Sequence, residues 1–359
     1  MPAEVPPLHR VVGGAIGVAA IALAGYTVHT PSHGPATGSA TSIAPGSGRV
    51  LEAMRPLMGT QFAIRVWAQP GREAAATVAI DATLERTAEL EQRISSWRPD
   101  SDTSAVNRAA GQTAVPVGAD LRELLTISMR WSRRTAGAFD VTGGPLFELW
   151  REARRLGTLP SATAIRDCLA RVDRDGVEVR EQSVRLRGPG MKLGFGSVAK
   201  GFAADRAAAE LRTRGFEDFI IDAGGDLVVS GSRGAAPWNV GVRHPHDEQL
   251  LATAELSGCA IATSGDYEQY LSVDGQRFGH IIDPRTGWPV HEVTSVVVIA
   301  PSGADADALA TGLSVLGLDA GLALAEKISS VEVLFVMADG RIHHSDGLTL
   351  NDGVLERIR

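Results

Sequence analysis

An uncharged apolar run near the N-terminus separates the part of the chain that can build a globular domain from a part that cannot. The run covers 18 residues, Val11–Val28, and follows Arg10. This length is at the low edge for a membrane-spanning helix and above the usual apolar core of a signal peptide. Residues 29–50 are rich in Ser, Thr, Pro, Gly and Ala, which predicts a flexible linker because such side chains cannot bury a core. We therefore predict a signal peptide or membrane anchor over residues 1–28 and one folded domain over residues 51–359.

The residues around this run favour export but do not decide whether the segment is cleaved. No cysteine follows it, which excludes lipid attachment at a processed N-terminal cysteine. Its four glycines and the single preceding positive charge suit both a cleaved signal peptide and an uncleaved anchor. We expect an extracytoplasmic domain, in the periplasm or on the outer face of the cell membrane, anchored to the membrane through this segment.

The composition excludes several classes of protein. With 44% apolar and 21% charged residues among 359, the chain has the composition of an ordinary globular protein. A formal net charge of −7 and the lack of a Lys/Arg-rich block argue against a nucleic-acid partner. Two cysteines, Cys168 and Cys259, are too few for a disulfide scaffold or a zinc site, and the sequence leaves open whether they pair.

The hydrophobic pattern of the folded part mixes helices and strands without strict alternation. Helices are predicted over Glu73–Ile94, Ala119–Thr135, Val198–Arg214, Asp305–Gly317 and Ala320–Ile328. Strands are predicted over Thr60–Ala68, Phe219–Ile221, Leu227–Ser230, Trp238–Arg243, Ala260–Thr263 and Ser295–Ala300. Asp-Gly pairs at 274–275 and 339–340 predict hairpin turns. Together these elements predict an α+β fold with mixed, largely antiparallel sheets and packed helices.

Two glycine-rich segments could bind a ligand through their backbone. The first, residues 194–201 (GFGSVAKG), is a turn that leads into a helix and carries Lys200 in the first turn. Because helix N-termini offer free N–H groups and a partial positive charge, this arrangement suits a phosphate or diphosphate, although an ordinary tight turn fits equally well. The second, residues 222–226 (DAGGD), is either a close backbone approach to a ligand or a sharp bend capped by Asp222.

Two further segments carry side chains that suit catalysis. His280 ends a predicted hairpin strand, so its imidazole is a candidate general base or phosphate ligand, with a purely structural histidine as the alternative. Asp307 and Thr311 lie four residues apart and share one helix face, where a carboxylate and a hydroxyl can bind a hard cation. An acidic residue in a first helical turn also stabilises the helix without any metal. We expect the opposite face, which carries Leu309 and Leu313, to be the buried one.

Three other segments combine apolar or aromatic residues with turn-forming residues. They are residues 57–60 (LMGT), 95–101 (SSWRPDS) and 137–142 (GAFDVT). Such segments are typical of the lining of a pocket for a flat ring, and they are equally typical of ordinary core and loop.

Taken in chain order, these segments resemble the ApbE family of FAD:protein FMN transferases. The resemblance covers about residues 58–337. It rests on eight short motifs in the order of the family: MGT, SSWRPDS followed by Asn107, GAFDVT, GSVAKGFAAD, DAGGD, ATSGDY, HIIDPRTGWP and ADALATG. The ordered set is far more specific than any one of its members.

The resemblance implies a site that binds FAD as substrate and Mg²⁺ as cofactor. The family holds FAD with residues that match Met58, Trp97, Ala138, Phe139, Asp140, Lys200 and Ile281. The position of Gly194 also contacts FAD, and many members have Asp there, so the sequence does not decide the effect of this glycine. Mg²⁺ is implied at the main-chain oxygen of Ser197 and at the side chains of Asp307 and Thr311. His280 matches the histidine to which the catalytic role is assigned.

The reaction that the resemblance implies is the transfer of FMN from FAD to a Thr or Ser hydroxyl of an acceptor flavoprotein, with release of AMP. The expected partners are FAD, an acceptor with an exposed Thr/Ser motif, and the membrane through the N-terminal segment, but no nucleic acid. Two alternatives stay open, namely an FAD pyrophosphatase that gives FMN and AMP, and a non-catalytic FAD-binding envelope protein. The sequence does not define the acceptor or the oligomeric state.

Overall fold

The computed structural model describes the folded domain over residues 48–245, 247, 249–266 and 269–358. The predicted signal or anchor segment and the predicted linker up to residue 47 lie outside the described residues. Within these ranges, no helix combines the length and the apolar character that a membrane crossing requires. Cys168 and Cys259 are free thiols, the first half-buried and the second buried.

Strands and helices follow one another irregularly along the domain. The strands are β1 (Arg49–Leu57), β2 (Thr60–Ala68), β3 (Val115–Pro116), β4 (Val177–Val179), β5 (Ser183–Leu186), β6 (Phe219–Ala223), β7 (Leu227–Ser230), β8 (Trp238–Arg243), β9 (Leu250–Leu256), β10 (Cys259–Gly265), β11 (Tyr270–Val273), β12 (Gln276–Gly279), β13 (Val293–Ala300), β14 (Glu332–Met337), β15 (Ile342–His344), β16 (Leu348–Asn351) and β17 (Val354–Arg357). The helices are α1 (Glu73–Ile94), α2 (Asp102–Arg108), α3 (Ala119–Arg134), α4 (Gly144–Leu156), α5 (Ala162–Leu169), α6 (Ala199–Thr213), α7 (Gly303–Leu316) and α8 (Leu318–Ala325).

An eight-stranded sheet forms the middle layer of the domain. Its strand order is β1-β2-β6-β7-β10-β13-β14-β15, and each neighbouring pair is antiparallel. Helices α1, α6 and α7 cover one face, and a four-stranded sheet, β16-β17-β9-β8, covers the other. Two smaller sheets are β3-β5-β4 and the hairpin β11-β12. The predicted α+β class with largely antiparallel sheets is confirmed.

Strand β13 shows why the middle sheet is apolar on both faces. All eight of its residues are buried. Val296 and Val298 belong to the core under the helices, whereas Val297 and Ile299 belong to the core shared with the four-stranded sheet. Because side chains alternate between the two faces of a strand, a strand between two packed layers needs an uninterrupted run of apolar residues.

Helices α6 and α7 meet backbone to backbone, and this contact sets the position of the candidate site. Gly201 and Gly303 are so close that a Cβ on Gly201 would lie 2.0 Å from the carbonyl oxygen of Gly303. The carboxylate of Asp205 on α6 accepts hydrogen bonds from the N–H groups of Gly303 at 2.6 Å and Ala304 at 2.9 Å. In return, the N–H of Gly201 donates to Asp307 at 3.1 Å. The first turns of the two helices are therefore fixed to each other.

Helix α7 is buried on nearly all sides, so the prediction that its leucine face alone would be buried is wrong. Leu309 and Leu313 are fully buried, but Asp307 on the other side of the helix is also only 4% exposed. The reason is tertiary, because α7 lies on strands β10 and β13 and packs against both α3 and α6. A helix enclosed in this way is largely apolar around its whole circumference.

Most predicted elements are present, with ends that differ by a few residues. Strand β2 and helix α1 coincide with the predicted segments. Both predicted Asp-Gly hairpins exist, between β11 and β12 and between β14 and β15. Helices α2, α4 and α5 are absent from the predictions, since α2 and α5 are short and α4 directly follows a segment interpreted as a turn. A third Asp-Gly turn, at Asp352 and Gly353, joins β16 and β17.

We predict that Gly201→Ala destabilises the domain, because the added methyl group would force α6 and α7 apart. Overpacking of this kind costs about 1–3 kcal/mol of unfolding free energy, and more where backbone must shift. Chemical denaturation followed by circular dichroism measures the loss. Gly196→Ala is the matched control, because no atom lies within 4 Å of the added Cβ. Equal unfolding free energies for the two variants would contradict the role of the contact.

Candidate active site

All the residues predicted to form the site line one cavity of about 660 Å³. The cavity lies where the ends of β10 and β12 meet the first turn of α6, the middle of α7 and one face of α4. The predicted residues in its wall are Met58, Trp97, Ala138, Phe139, Asp140, Gly194, Ser197, Lys200, His280, Ile281, Asp307 and Thr311. A concave site of this volume accommodates a sizeable organic ligand. The fold thus brings these residues together, while the role of each one stays a prediction.

The tight turn between β1 and β2 places Met58 at the cavity. Met58 and Gly59 have φ values of 56° and 75°, and they connect Leu57 to its strand partner Thr60. A two-residue turn with two positive φ values matches the twist of the strands, but the left-handed region disfavours a side chain as large as methionine. Local backbone strain of this kind concentrates at functional sites.

The glycine-rich turn leads into α6 and places Lys200 in the first turn of that helix, as predicted. The ammonium group of Lys200 forms an ion pair with Asp226, whose side chain is buried. Residues 222–226 form the bend that precedes β7. The carboxylate of Asp222 caps this bend by accepting the N–H of Gly225 at 2.8 Å, and Thr60 leaves no room for a Cβ on Gly224. The interpretation of this segment as a capped sharp bend is confirmed, and the bend also carries Asp226 to Lys200.

Asp307 and Thr311 contribute oxygens to the cavity wall from α7. The Asp307 carboxylate accepts the N–H of Gly201 at 3.1 Å, and the Thr311 hydroxyl shares a hydrogen bond with the Ser264 hydroxyl at 3.1 Å. Burial, and next the nearby Asp226 carboxylate, raises the pKa of Asp307 well above the ordinary carboxyl range. The described ranges contain no cluster of three or more His, Cys, Asp or Glu residues suited to a metal. A cation bound next to Asp307 would therefore need neutral oxygen ligands, such as hydroxyl or backbone carbonyl oxygens, in addition to the carboxylate.

His280 follows β12 and lies at the cavity with one ring nitrogen unused. Its Nδ1 is buried and has no hydrogen-bond partner among the described residues. Burial lowers the pKa of His280 to about 4, and the nearby charges of Arg154 and Lys200 act in the same direction against a backbone hydrogen bond with Gln269. The imidazole is therefore neutral at pH 7, the state in which it can accept a proton.

The segment from Ala138 to Asp140 forms a rigid part of the cavity wall. Ala138 and Phe139 are buried in the apolar core. One carboxylate oxygen of Asp140 accepts hydrogen bonds from the N–H and the hydroxyl of Thr142, and the other accepts from the hydroxyl of Ser132. The Asp140 carboxylate thus stabilises the conformation of this loop.

Trp97 stands at the edge of the cavity and is held by a cation. The ring is 67% exposed, and the guanidinium carbon of Arg151 lies 4.2 Å from its centroid. Such a cation–π pair is favourable and fixes the orientation of the indole. Because most of the ring is exposed, it can contact a flat ligand without any rearrangement of the core.

Helix α4 supplies six cavity residues that the motifs did not identify, namely Gly144, Phe147, Glu148, Trp150, Arg151 and Arg154. Phe147, Arg151 and Arg154 line the cavity, and their spacing of four and three residues places them on one face of the helix. The sequence does contain a signal for this helix. Pro145 occupies its first turn and Gly157 ends it in the left-handed conformation, the usual positions of these residues at helix boundaries.

Gly194 allows Phe147 to pack closely against the glycine-rich turn. A Cβ on Gly194 would lie 3.1 Å from the Phe147 ring, so any larger residue would require the ring to move by a few tenths of an ångström. The N–H of Gly194 donates to the carbonyl of Val141 at 2.8 Å. Lys192, two residues earlier, forms an ion pair with Glu148. At this point Gly194 and Phe147 form an apolar part of the cavity wall, with the charged Glu148 beside it.

Comparison with known proteins supports the resemblance that the motifs indicated. Residues 58–335 match the ApbE family. The FAD:protein FMN transferase of Treponema pallidum (strain Nichols) is 34% identical over 336 residues, which are 88% of this chain and 91% of that protein. The FAD:protein FMN transferase of Vibrio cholerae serotype O1 is 33% identical over 291 residues, 79% of this chain and 86% of that protein.

Solved structures agree with this assignment. The ApbE protein of Thermotoga maritima gives a TM-score of 0.75 at 30% identity, over 83% of this chain and 97% of its own. The flavin transferase ApbE of Vibrio cholerae gives 0.73 at 31% identity, over 83% and 98%. The fold is therefore that of the ApbE flavin transferases. The chain belongs to the ApbE family, and the predicted family is confirmed.

We predict that the buried His280 makes the domain sensitive to acid. Since its pKa falls from the ordinary 6.5 to about 4, the unfolded chain binds a proton in this window that the folded protein does not. This part of the stability is present above pH 6.5 and is lost as the pH falls toward 4. His280→Gln should therefore gain stability relative to the wild-type protein on acidification. Urea denaturation at several pH values measures the difference, and a difference that is independent of pH would contradict the lowered pKa.

Proposed function

We propose that this protein is an FAD:protein FMN transferase that moves FMN from FAD to a Thr or Ser hydroxyl of an acceptor flavoprotein and releases AMP. The observation that carries this proposal is the convergence of the predicted residues on one cavity of about 660 Å³. The names of the relatives from Treponema pallidum and Vibrio cholerae support the same activity.

In the proposed reaction, the acceptor hydroxyl oxygen attacks the FMN-side phosphorus of FAD. A new P–O bond forms to the acceptor, the P–O bond to AMP breaks, and the electron pair leaves with AMP. The hydroxyl proton passes to a base. Such a transfer needs neutralisation of the diphosphate charge and alignment of the nucleophile, and little covalent work from the protein.

Mg²⁺ is the proposed cofactor, held by the main-chain oxygen of Ser197 and the side chains of Asp307 and Thr311. These are the hard oxygen donors that this ion prefers. The fit is supported by the position of these residues, since all three line the cavity and the Asp307 carboxylate is buried there. When bound, the ion would neutralise the diphosphate charge.

His280 is the proposed base for the acceptor hydroxyl. It lines the cavity, its Nδ1 is buried without a partner among the described residues, and its lowered pKa keeps the ring neutral at pH 7. A neutral imidazole with an unused nitrogen can take the hydroxyl proton as the new bond forms. Arg154 and Lys200 line the same cavity and help to keep the ring neutral before the proton is transferred.

Intact-mass spectrometry distinguishes this function from its alternatives. The protein is mixed with FAD, Mg²⁺ and an acceptor protein that exposes a Thr or Ser motif, and AMP is assayed in parallel. We expect the acceptor to gain the mass of one FMN and AMP to be released, with both signals lost on chelation. Free FMN and AMP with no change in the acceptor would indicate a pyrophosphatase, and bound but unconverted FAD would indicate a carrier.

We predict that Asp307→Asn lowers the rate of transfer by at least about 100-fold, because a metal ligand of this kind stabilises several kcal/mol of transition-state charge. The amide keeps the volume of the carboxylate and removes a costly buried charge, so the melting temperature without metal should be unchanged or higher. Asp305→Asn is the control, since Asp305 accepts a hydrogen bond from Trp131 at 2.7 Å and does not line the cavity. Equal activity of the two variants at saturating Mg²⁺ would refute the metal role of Asp307.

We propose that the domain works outside the cytoplasm, anchored to the membrane by the apolar run Val11–Val28. The composition of residues 29–50 supports a tether between the anchor and the domain. The full chain should sediment with membranes and be accessible to protease from outside the cytoplasm, whereas a chain that starts at Arg49 should do neither. Recovery of the full chain in the cytoplasmic fraction would contradict the proposal.

A further inference from the structure

One side of helix α4 packs in an apolar cluster, and another side faces the cavity. Leu146, Trp150 and Ala153 are buried in an apolar cluster with the β11-β12 hairpin. Arg151 and Arg154 line the cavity, and Trp150 reaches it as well. Two guanidinium groups one turn apart thus face the cavity from a wall that carries none of the family motifs.

Arg154 differs from the other cations of the cavity because one nitrogen of its guanidinium group has no hydrogen-bond partner among the described residues. Its Nη1 is buried and makes no hydrogen bond to any described residue. Burial, and next the neighbouring charge of Arg151, lowers the pKa of Arg154. A buried guanidinium nitrogen without an acceptor costs stability, so its persistence in a cavity wall calls for an anionic ligand.

The remaining cations of the wall are engaged with protein groups. Lys200 forms an ion pair with the buried carboxylate of Asp226. Arg151 stacks on Trp97 at 4.2 Å from the ring centroid and is exposed at the mouth of the cavity. Arg154 is therefore the cavity cation, within the described ranges, whose buried nitrogen is left for a ligand.

Arg154 and His280 line the same cavity. Both Arg154 and Lys200 lie near enough to lower the pKa of that ring, although one is on α4 and the other on α6. The two cations thus approach His280 from different helices. An anion bound in this cavity would therefore meet cations from both helices.

We infer that Arg154 binds the diphosphate of FAD, on the α4 side of the cavity, where Asp307 and Thr311 form the α7 side. This inference rests on the proposed function, in which FAD is the substrate. The planar guanidinium group presents a fixed fork of N–H donors that matches phosphate oxygens, so Arg154 would bind the diphosphate rather than the uncharged flavin ring.

Equilibrium binding of two flavins separates this role from a structural one. The full protein is titrated with FAD and with riboflavin, which lacks phosphate, in the presence of Mg²⁺, and flavin fluorescence is recorded. Arg154→Ala should weaken FAD binding by about 10- to 100-fold, the range for loss of a charge-assisted hydrogen bond. Riboflavin binding should change by less than about twofold, since no phosphate contact is lost. Arg154→Lys should recover part of the FAD affinity because it keeps the charge.

Arg155→Ala is the matched control, since Arg155 belongs to the same helix but points to solvent and pairs with Glu152. It should bind both flavins like the wild-type protein. Unchanged FAD binding by Arg154→Ala, or an equal loss for FAD and riboflavin, would overturn the inference and leave the proposed function standing. A wild-type protein that binds no FAD would instead overturn the proposed function, and this inference with it.

Discussion

The contact between α6 and α7 is the constraint on which the rest of the site depends. Because Gly201 and Gly303 have no side chains, the two backbones touch, and the N–H of Gly201 reaches the Asp307 carboxylate at 3.1 Å. Asp205 binds the start of α7 from the other helix, and burial raises its pKa to about 6. Burial of the Asp205 and Asp307 carboxylates costs folding free energy, and this cost is tied to the contact of one helix pair. What the protein gains is a fixed position for Lys200 and Asp307 on one side of the cavity.

The cavity wall also contains buried polar groups that have no hydrogen-bond partner among the described residues. Arg154 Nη1, the Thr263 hydroxyl and His280 Nδ1 are all buried without hydrogen-bond partners among the described residues, and all three residues line the cavity. Unsatisfied buried groups are rare in folded proteins, so three around one cavity indicate a surface prepared for a polar ligand. The ligand then supplies the missing hydrogen bonds, and its binding energy includes the release of this cost.

The sequence predicts the elements of this fold where a local pattern is sufficient. Strand β2, helix α1 and the Asp-Gly hairpins depend on periodicity and turn chemistry, and they are present as predicted. The burial of Asp307 could not be predicted, since it results from the packing of α7 between the sheet and two helices. The same is true of Arg154, because no local pattern distinguishes a guanidinium that faces a cavity from Arg155 next to it, which faces solvent. The predicted site residues other than Gly194 all come from the ordered motifs. No motif falls within α4, so its cavity residues could not be predicted in this way.

The wall formed by α4 and Gly194 shows how one substitution changes the kind of recognition that a cavity offers. With glycine at 194, the ring of Phe147 packs where the side chain of a larger residue would lie. Phe147 makes that part of the wall apolar, and α4 adds charged groups to the cavity at Glu148, Arg151 and Arg154. An acidic side chain at 194 would repel a diphosphate unless a cation stood between them, whereas the guanidinium groups attract it directly.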